Sequence, residues 1–303
     1  MHERERVHVT RRFGSYVDPA LVKRIIANPE RTRFEGELRE MSVVFTDLED
    51  FTATSEKLRE GAASLLNEYL SHMTRLIHDH HGYRHRFSGD GMMFFYGAPE
   101  QDRDHALHAV ETVLEMQQMI VALNESIATR RRQLCDAVKL VMRAGVSTGQ
   151  MTVGDAGSED ASYYTVVGDA VNLGSRLESA NKVFGTRILM SGRTVELLPA
   201  DLFVIRPIAN LRVVGLMRAV MVYEPLAYAD EATDFDKRTA QLTRTIFESF
   251  RDKNFDGCLT AVEGMDQELG ASKLSEFYRQ LCDGYIRNSP PPEFAGEIIL
   301  STK

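Results

Sequence analysis

Cysteine is scarce in this 303-residue sequence: Cys135, Cys258 and Cys282 are the whole complement, widely spaced and without a C-x-x-C pair. That argues against a disulfide framework and a thiolate zinc site, and suggests reduced thiols with packing roles. Long apolar runs are missing too. No stretch approaches the ~20 apolar residues that cross a bilayer, and the opening MHERERVHVTRR lacks the apolar centre of a secretion signal. The chain is therefore expected to be cytoplasmic and to make no membrane contact itself. An excess of positive charge is also absent. Lys and Arg number 36 against 44 Asp and Glu, a net charge of −8, which argues against a nucleic-acid surface. The triplet Arg130-Arg131-Arg132 reads as a solvated loop between a helix and a strand. There is no internal repeat and no low-complexity segment.

What the sequence does contain is apolar content, 43% of residues, sufficient for one good-sized core and a smaller appended unit. Residues 1–36 are polar, with Asp18-Pro19 opening a short capped helix that Asn28-Pro29 ends. From 37 to 228 short apolar runs alternate with amphipathic stretches, an α/β pattern. Met41–Asp47 reads as a buried strand, 61–80 as a helix stopped by Gly82, and Arg84–Tyr96 as a hairpin turning at Ser88-Gly89-Asp90-Gly91. A helix over 104–127 precedes a strand at 138–146. Two more strands, 151–155 and 163–167, lead into a helix over 169–182. Short strands follow at 187–190, 203–205, 211–214 and 219–223. Residues 229–303 begin with an acidic linker and read as a helical hairpin ending in Ser289-Pro-Pro-Pro292.

Two aspartates, Asp47 in FTDLEDFT and Asp90 in RFSGDGMMFF, each end an apolar run at a tight turn. Carboxylates at the ends of adjacent strands can share hard cations, and a pair of cations can serve an in-line phosphoryl displacement. The chain from Asp47 through Phe51 and Thr52 passes from strand to loop to helix, where free amides suit a polyphosphate. Asn172 and Arg176 lie four apart on one helix face.

These blocks resemble the class III adenylate and guanylate cyclases. FTDLEDFT, FSGDGMMFFYGAP and YYTVVGDAVNLGSRLE look like three motifs of that family, in its order and spacing. The likeness runs from about Tyr16 to Pro225, and YVDPALVKRIIANPE is similar to the segment preceding many bacterial members. The resemblance implies an α/β fold of ferredoxin-like or palm-like type, a mixed sheet flanked by helices. It implies conversion of ATP to cyclic AMP and pyrophosphate. Asp47, Asp90 and the carbonyl of Leu48 would bind two Mg2+ or Mn2+ ions per site. One ion would acidify the ribose 3′-hydroxyl, and the other would hold the β and γ phosphates. Asn172 and Arg176 would face the metals of a second subunit, so a homodimer with two equivalent sites is implied. Arg143 matches a position that contacts the triphosphate.

Base choice in the family rests on two positions, occupied here by Arg86 and Thr165. A cationic donor and a hydroxyl acceptor suit adenine N1 and N6; guanine presents the reverse edge. ATP is favoured, with guanylate cyclase as the alternative, since Arg86 can still donate to guanine O6. Val214 stands where many members place a phosphate-binding lysine, and Arg212, two residues earlier on the same strand face, is the candidate substitute. A weakly active regulatory module with this fold is a further alternative. The opening residues resemble a linker, consistent with an upstream sensor domain.

Asp252, Asn254, Asp256, Gly257 and Glu263 satisfy the twelve-residue calcium-loop pattern. The flanks favour another reading, a turn at Lys253-Asn254 between helices over 239–251 and 255–269, as in the helical tails that follow many bacterial cyclase domains.

Overall fold

The structure, a computed structural model, describes residues 18, 21–22, 25–26, 35–58, 61–130, 139–158, 162–213 and 219–300. Most of the N-terminal segment, Arg131, Arg132, Cys135 and Val214 lie outside the described residues. The chain order is β1 (Glu37–Leu48), α1 (Phe51–Leu58), α2 (Gly61–Asp79), β2 (Tyr83–Ser88), β3 (Gly91–Tyr96), α3 (His105–Arg130), β4 (Met142–Gly157), β5 (Ser162–Val167) and α4 (Asp169–Phe184). Then come β6 (Ile188–Ser191), α5 (Gly192–Glu196), β7 (Phe203–Val213), β8 (Val220–Tyr228), α6 (Asp234–Arg251), α7 (Phe255–Leu269), α8 (Lys273–Arg287) and β9 (Glu297–Leu300). The strands form one mixed sheet in the order β2-β3-β1-β4-β6-β8-β7-β9, with β5 pairing β4. The β4–β6 and β7–β9 pairs are parallel and the others antiparallel. Among the described residues no helix is long and apolar enough to cross a membrane.

Alternation along β1 places Val44 and Leu48 in a core under α2 and α3, together with Tyr69, Met73, Phe94 and Met116. The opposite face contributes Met41 and Val43 to a second core with Tyr83, Phe95, Tyr164 and Val166. β4 is one strand of 16 residues where the sequence suggests two. Gly149 carries the pairing through, opposite Met41, and the far half pairs β5. In β5 Tyr164 packs on Tyr83 at 5.5 Å and on Phe95 at 6.4 Å, so β5 lies against the β2–β3 hairpin.

The C-terminal segment also differs from the expected hairpin. It has three helices and a strand, and β9 extends the main sheet beside β7. Its core is aromatic: Phe250 meets Phe255, Tyr278, Tyr285 and Phe294 within 5.3–6.0 Å. Residues 252–263 do not form a calcium loop. Phe255–Leu269 is helical, the Asn254 side chain caps it by accepting from Gly257 N at 3.0 Å, and Asp252 pairs with Arg251 at 2.8 Å. Lys253 makes the turn at φ 62°. Cys258 and Cys282 are free and buried.

α4 sits unusually close to the sheet. A Cβ added at Gly145 on β4 would lie 2.2 Å from the Gly174 carbonyl oxygen and 2.3 Å from the Glu178 amide nitrogen, both backbone atoms. The buried Asn181 amide locks this contact, donating to the Ala144 carbonyl at 2.9 Å and accepting from Thr186 Oγ1 at 2.8 Å. Gly145→Ala must therefore push the helix off the strand. We expect it to lower the unfolding free energy by about 1–3 kcal/mol. Gly264→Ala, in α7 where an added Cβ meets nothing within 4 Å, should raise it by about 0.5–1 kcal/mol. Urea unfolding midpoints of both variants check the contrast.

Candidate active site

Gly89 has φ 67°, which suits the first position of a two-residue hairpin loop with glycine leading, and it delivers Asp90 to the tip between β2 and β3. The neighbouring strand β1 ends beside it. Leu48 N donates to Asp90 Oδ2 at 3.2 Å, fixing the carboxylate next to the Asp47–Leu48 peptide. Gly91 permits the approach: a Cβ there would lie 2.9 Å from the Thr46 carbonyl oxygen and 3.4 Å from Asp47 Oδ1. The two acids that the sequence singles out thus share a cleft of ≈ 470 Å³, lined also by Leu48, Asp50, Phe51, Thr52, Ala53, Glu56 and Arg143. Phe51 packs its ring toward the core under α2, while Thr52 is exposed at the first turn of α1.

Arg143 is the cross-strand neighbour of Asp47. Its Nη2 donates to Asp47 Oδ2 at 3.2 Å and its Nε to Glu178 Oε1 at 3.3 Å. Glu178, on α4, closes the third motif, and its ion pair with Arg143 is not legible there. One guanidinium therefore faces two carboxylates with a third, Asp90, alongside. The Asp47 carboxyl is held above the usual aspartate range, first by burial and then by the Asp90 charge, with Arg143 opposing. Glu178 is raised as well, by burial and the Asp47 charge. Negative charge is under-compensated at this end of β1.

Arg86, Thr165 and Asn172 are not among the residues lining this cleft. Arg86 is exposed on β2, opposite Met93 and next to a bulge at His85. Thr165 is 7% exposed on β5. The bulge gives the pair an intermediary: His85 Nδ1 lies 3.1 Å from the Tyr164 carbonyl oxygen and His85 Nε2 lies 3.2 Å from Thr165 Oγ1. Burial, and then the Arg86 charge, lower the His85 pKa and favour the neutral ring. On α4, Asn172 is exposed and Arg176 half-buried four residues on. Arg212 is tied elsewhere, to Glu297 of β9 at 2.9 Å.

The donor set at Asp47, Asp90 and the Leu48 carbonyl is all oxygen, as Mg2+ and Mn2+ require. Among the described residues no group of three or more His, Cys, Asp or Glu side chains is arranged for a metal. A carboxylate pair fits Mg2+ that takes its remaining ligands from water and substrate phosphates. The Asp47 carboxyl, raised by burial and then by the Asp90 charge, would be relieved by a cation placed between the two acids.

The chain is similar to adenylate cyclase 1 of Rhizobium meliloti, 32% identical over 216 residues, covering 70% of this chain and 31% of that protein. It is 33% identical over 190 residues to a terminal-differentiation-specific adenylate cyclase of Dictyostelium discoideum, covering 61% of this chain and 8% of that one. The chain thus spans about a third or less of the length of these curated relatives. Among solved structures, an adenylyl cyclase from P. aeruginosa matches with TM-score 0.57 at 31% identity, covering 66% of this chain and 100% of the other. A guanylyl cyclase matches with TM-score 0.57 at 31% identity, covering 66% and 98%. Residues 35–224, from the start of β1 to the middle of β8, match the model of the adenylate and guanylate cyclase catalytic domain, and the chain belongs to that family.

Proposed function

We propose that the chain is an adenylate cyclase that converts ATP to 3′,5′-cyclic AMP and pyrophosphate at sites shared between two copies. The observation that carries this reading is the acidic cleft. Among the described residues, Asp47, Asp50, Glu56 and Asp90 line it against the guanidinium of Arg143, an arrangement that repels a bare triphosphate and suits one arriving with divalent cations. Mg2+ or Mn2+ held by Asp47, Asp90 and the Leu48 carbonyl would polarise phosphoryl oxygens and acidify the ribose 3′-hydroxyl. The chain's own groups do the rest. The amides at the start of α1, by Phe51 and Thr52, face the phosphates. Asn172 orients the ribose, and Arg176 meets the charge that develops as the 3′-oxygen attacks the α-phosphorus and pyrophosphate leaves. Arg143 balances Asp47 until the triphosphate enters, and Arg212, once released from Glu297, is available to terminal phosphates.

Sharing between copies is supported by the separation of the two sets. The cleft's lining omits Arg86, Thr165 and Asn172, so the base-reading and ribose-positioning groups are offered to a second chain. Leu38, Tyr163 and Val167 are 68%, 56% and 63% exposed. Thr152 pairs with both Leu38 and Val167, which places these apolar residues on one face, suited to burial by a partner. Adenine is favoured over guanine because Arg86 offers donors and the Thr165 hydroxyl an acceptor.

Asp47→Asn and Asp90→Asn should each abolish cyclic nucleotide formation while the chain stays folded. Because the Asp47 pKa is raised in the folded chain, its ionised form costs stability above that pKa, and the cost vanishes as pH falls through it. Asp47→Asn should therefore melt no lower than wild type in the absence of metal at neutral pH, and lose the Mn2+-dependent rise in melting temperature. Product chromatography and thermal melts with and without Mn2+ read both effects.

Mixing inactive Asp47→Ala with inactive Arg176→Ala should restore activity. Random pairing makes about half the dimers mixed, each with one intact site of two, so recovery of about a quarter of wild type is expected. Absence of recovery despite demonstrated subunit exchange would remove the shared site.

Arg86→Glu combined with Thr165→Cys should raise the GTP to ATP ratio in kcat/KM. Two mismatched edge groups cost roughly 1–3 kcal/mol each, or about two to four decades together. Arg86→Lys should keep the ATP preference. Kinetics with both nucleotides decide it.

A further inference from the structure

The bulge on β2 does more than kink an edge strand. Tyr83 pairs with Phe95, Arg84 with Phe94 and Arg86 with Met93, so His85 is the extra residue. Without it, alternation would send Arg86 and its neighbours to the opposite faces. The His85 ring is turned toward β5, 5.9 Å from the Tyr163 ring and 6.3 Å from Phe95. Both of its nitrogens are engaged, and by different kinds of partner.

The Tyr164 carbonyl can only accept, so the nitrogen 3.1 Å from it, Nδ1, carries the hydrogen. Neutral imidazole then presents a bare Nε2, and the hydroxyl 3.2 Å away, Thr165 Oγ1, must donate to it. A threonine hydroxyl has one hydrogen and two lone pairs. With the hydrogen committed to His85, only lone pairs are left for any third group.

We propose that His85 is a specificity-determining residue of the purine site: it takes the Thr165 hydroxyl hydrogen and makes that hydroxyl a pure acceptor, selecting a 6-amino purine over a 6-oxo one. This rests on the reading that Thr165 faces the base. A 6-amino group donates to the free lone pairs; a 6-oxo group meets them lone pair to lone pair. An unassisted threonine discriminates poorly, because its hydroxyl rotates to donate to one and accept from the other. His85 removes that freedom and acts on substrate through Thr165, as a positioning residue.

The test compares ATP with inosine 5′-triphosphate, which carries a 6-oxo group in place of the 6-amino group and whose altered N1 faces Arg86 equally in every His85 variant. In the full chain with Mn2+, the ratio of kcat/KM for the two nucleotides should fall by about fivefold to tenfold in His85→Phe, the worth of about one hydrogen bond. Thr165→Val should show the same fall, and the double variant no further one. His85→Gln, whose amide oxygen can accept from Thr165 while its NH2 donates to Tyr164, should recover most of the ratio. A ratio unchanged in His85→Phe, or effects that multiply in the double variant, would overturn the proposal. So would an Nε2-protonated ring in the long-range 1H–15N correlation of His85 in the nucleotide-free protein. If wild type cyclises neither nucleotide, the adenylate cyclase reading fails by itself. The ratio of their dissociation constants, measured by calorimetry in the same five proteins, then still decides the role of His85.

Discussion

Arg143 is the constraint on which the catalytic end of this fold depends. A single guanidinium, 13% exposed, sits between Asp47 and Glu178, and neither acid can be fully neutralised while it is shared. Its position follows from register: antiparallel pairing sets Arg143 directly across from Asp47, as it sets Thr46 across from Ala144. The second acid comes from α4, which reaches Arg143 only because Gly145 lets helix and strand backbones approach within a distance that a side chain would forbid. Remove the close approach and Glu178 withdraws, leaving Arg143 to collapse fully onto Asp47. Asp47 stays half-available because a helix residue competes for its partner.

The same helix has two working faces. Leu173, Leu177 and Phe184 are buried, Phe184 meeting Phe277 of α8 at 4.9 Å, while Asn172 points outward. α8 is in turn anchored to the sheet by Tyr278, whose hydroxyl donates to the Ile208 carbonyl at 2.6 Å. The C-terminal helices therefore buttress the catalytic helix from behind. An aromatic cluster as dense as that around Phe250 makes this support stiff, since each large ring loses several contacts if a neighbour shifts.

Much of the site is legible in the sequence because its residues are tied to local signals. Asp47 and Asp90 end apolar runs at turns, and Asn172 and Arg176 share a helix face by spacing alone. The ion pair of Glu178 and the role of His85 are not legible. Glu178 matters through an ion pair across 35 positions, and His85 through a hydroxyl 80 positions away. Nothing local marks either contact. The bulge that aims His85 belongs to a strand pairing, and period-two alternation read along β2 alone would place Arg86 on the opposite face from Tyr83. The tail departs from its expected hairpin for a related reason. Its helices are visible in their periodicity, but β9 is four residues long and gains its identity only by lying beside β7.

Arg212 illustrates how weakly a single contact can hold a residue that matters. Its pair with Glu297 is 2.9 Å long, yet the two side chains are 48% and 29% exposed, and ion pairs so placed contribute about 0–1 kcal/mol. The backbone beneath is better fixed. Arg212 pairs in register with Ile299 and its neighbour Leu211 is fully buried, so the strand holds still while the guanidinium is free to exchange one anion for another. In the proposed reaction a triphosphate, carrying several negative charges, would compete for it on favourable terms, since a lone carboxylate across a wet surface holds it weakly. Arg143 is the opposite case, a cation buried between two acids and costly to move. Burial thus separates the two arginines: Arg143 is held at the cleft by two acids, whereas Arg212 rests on one partly exposed acid.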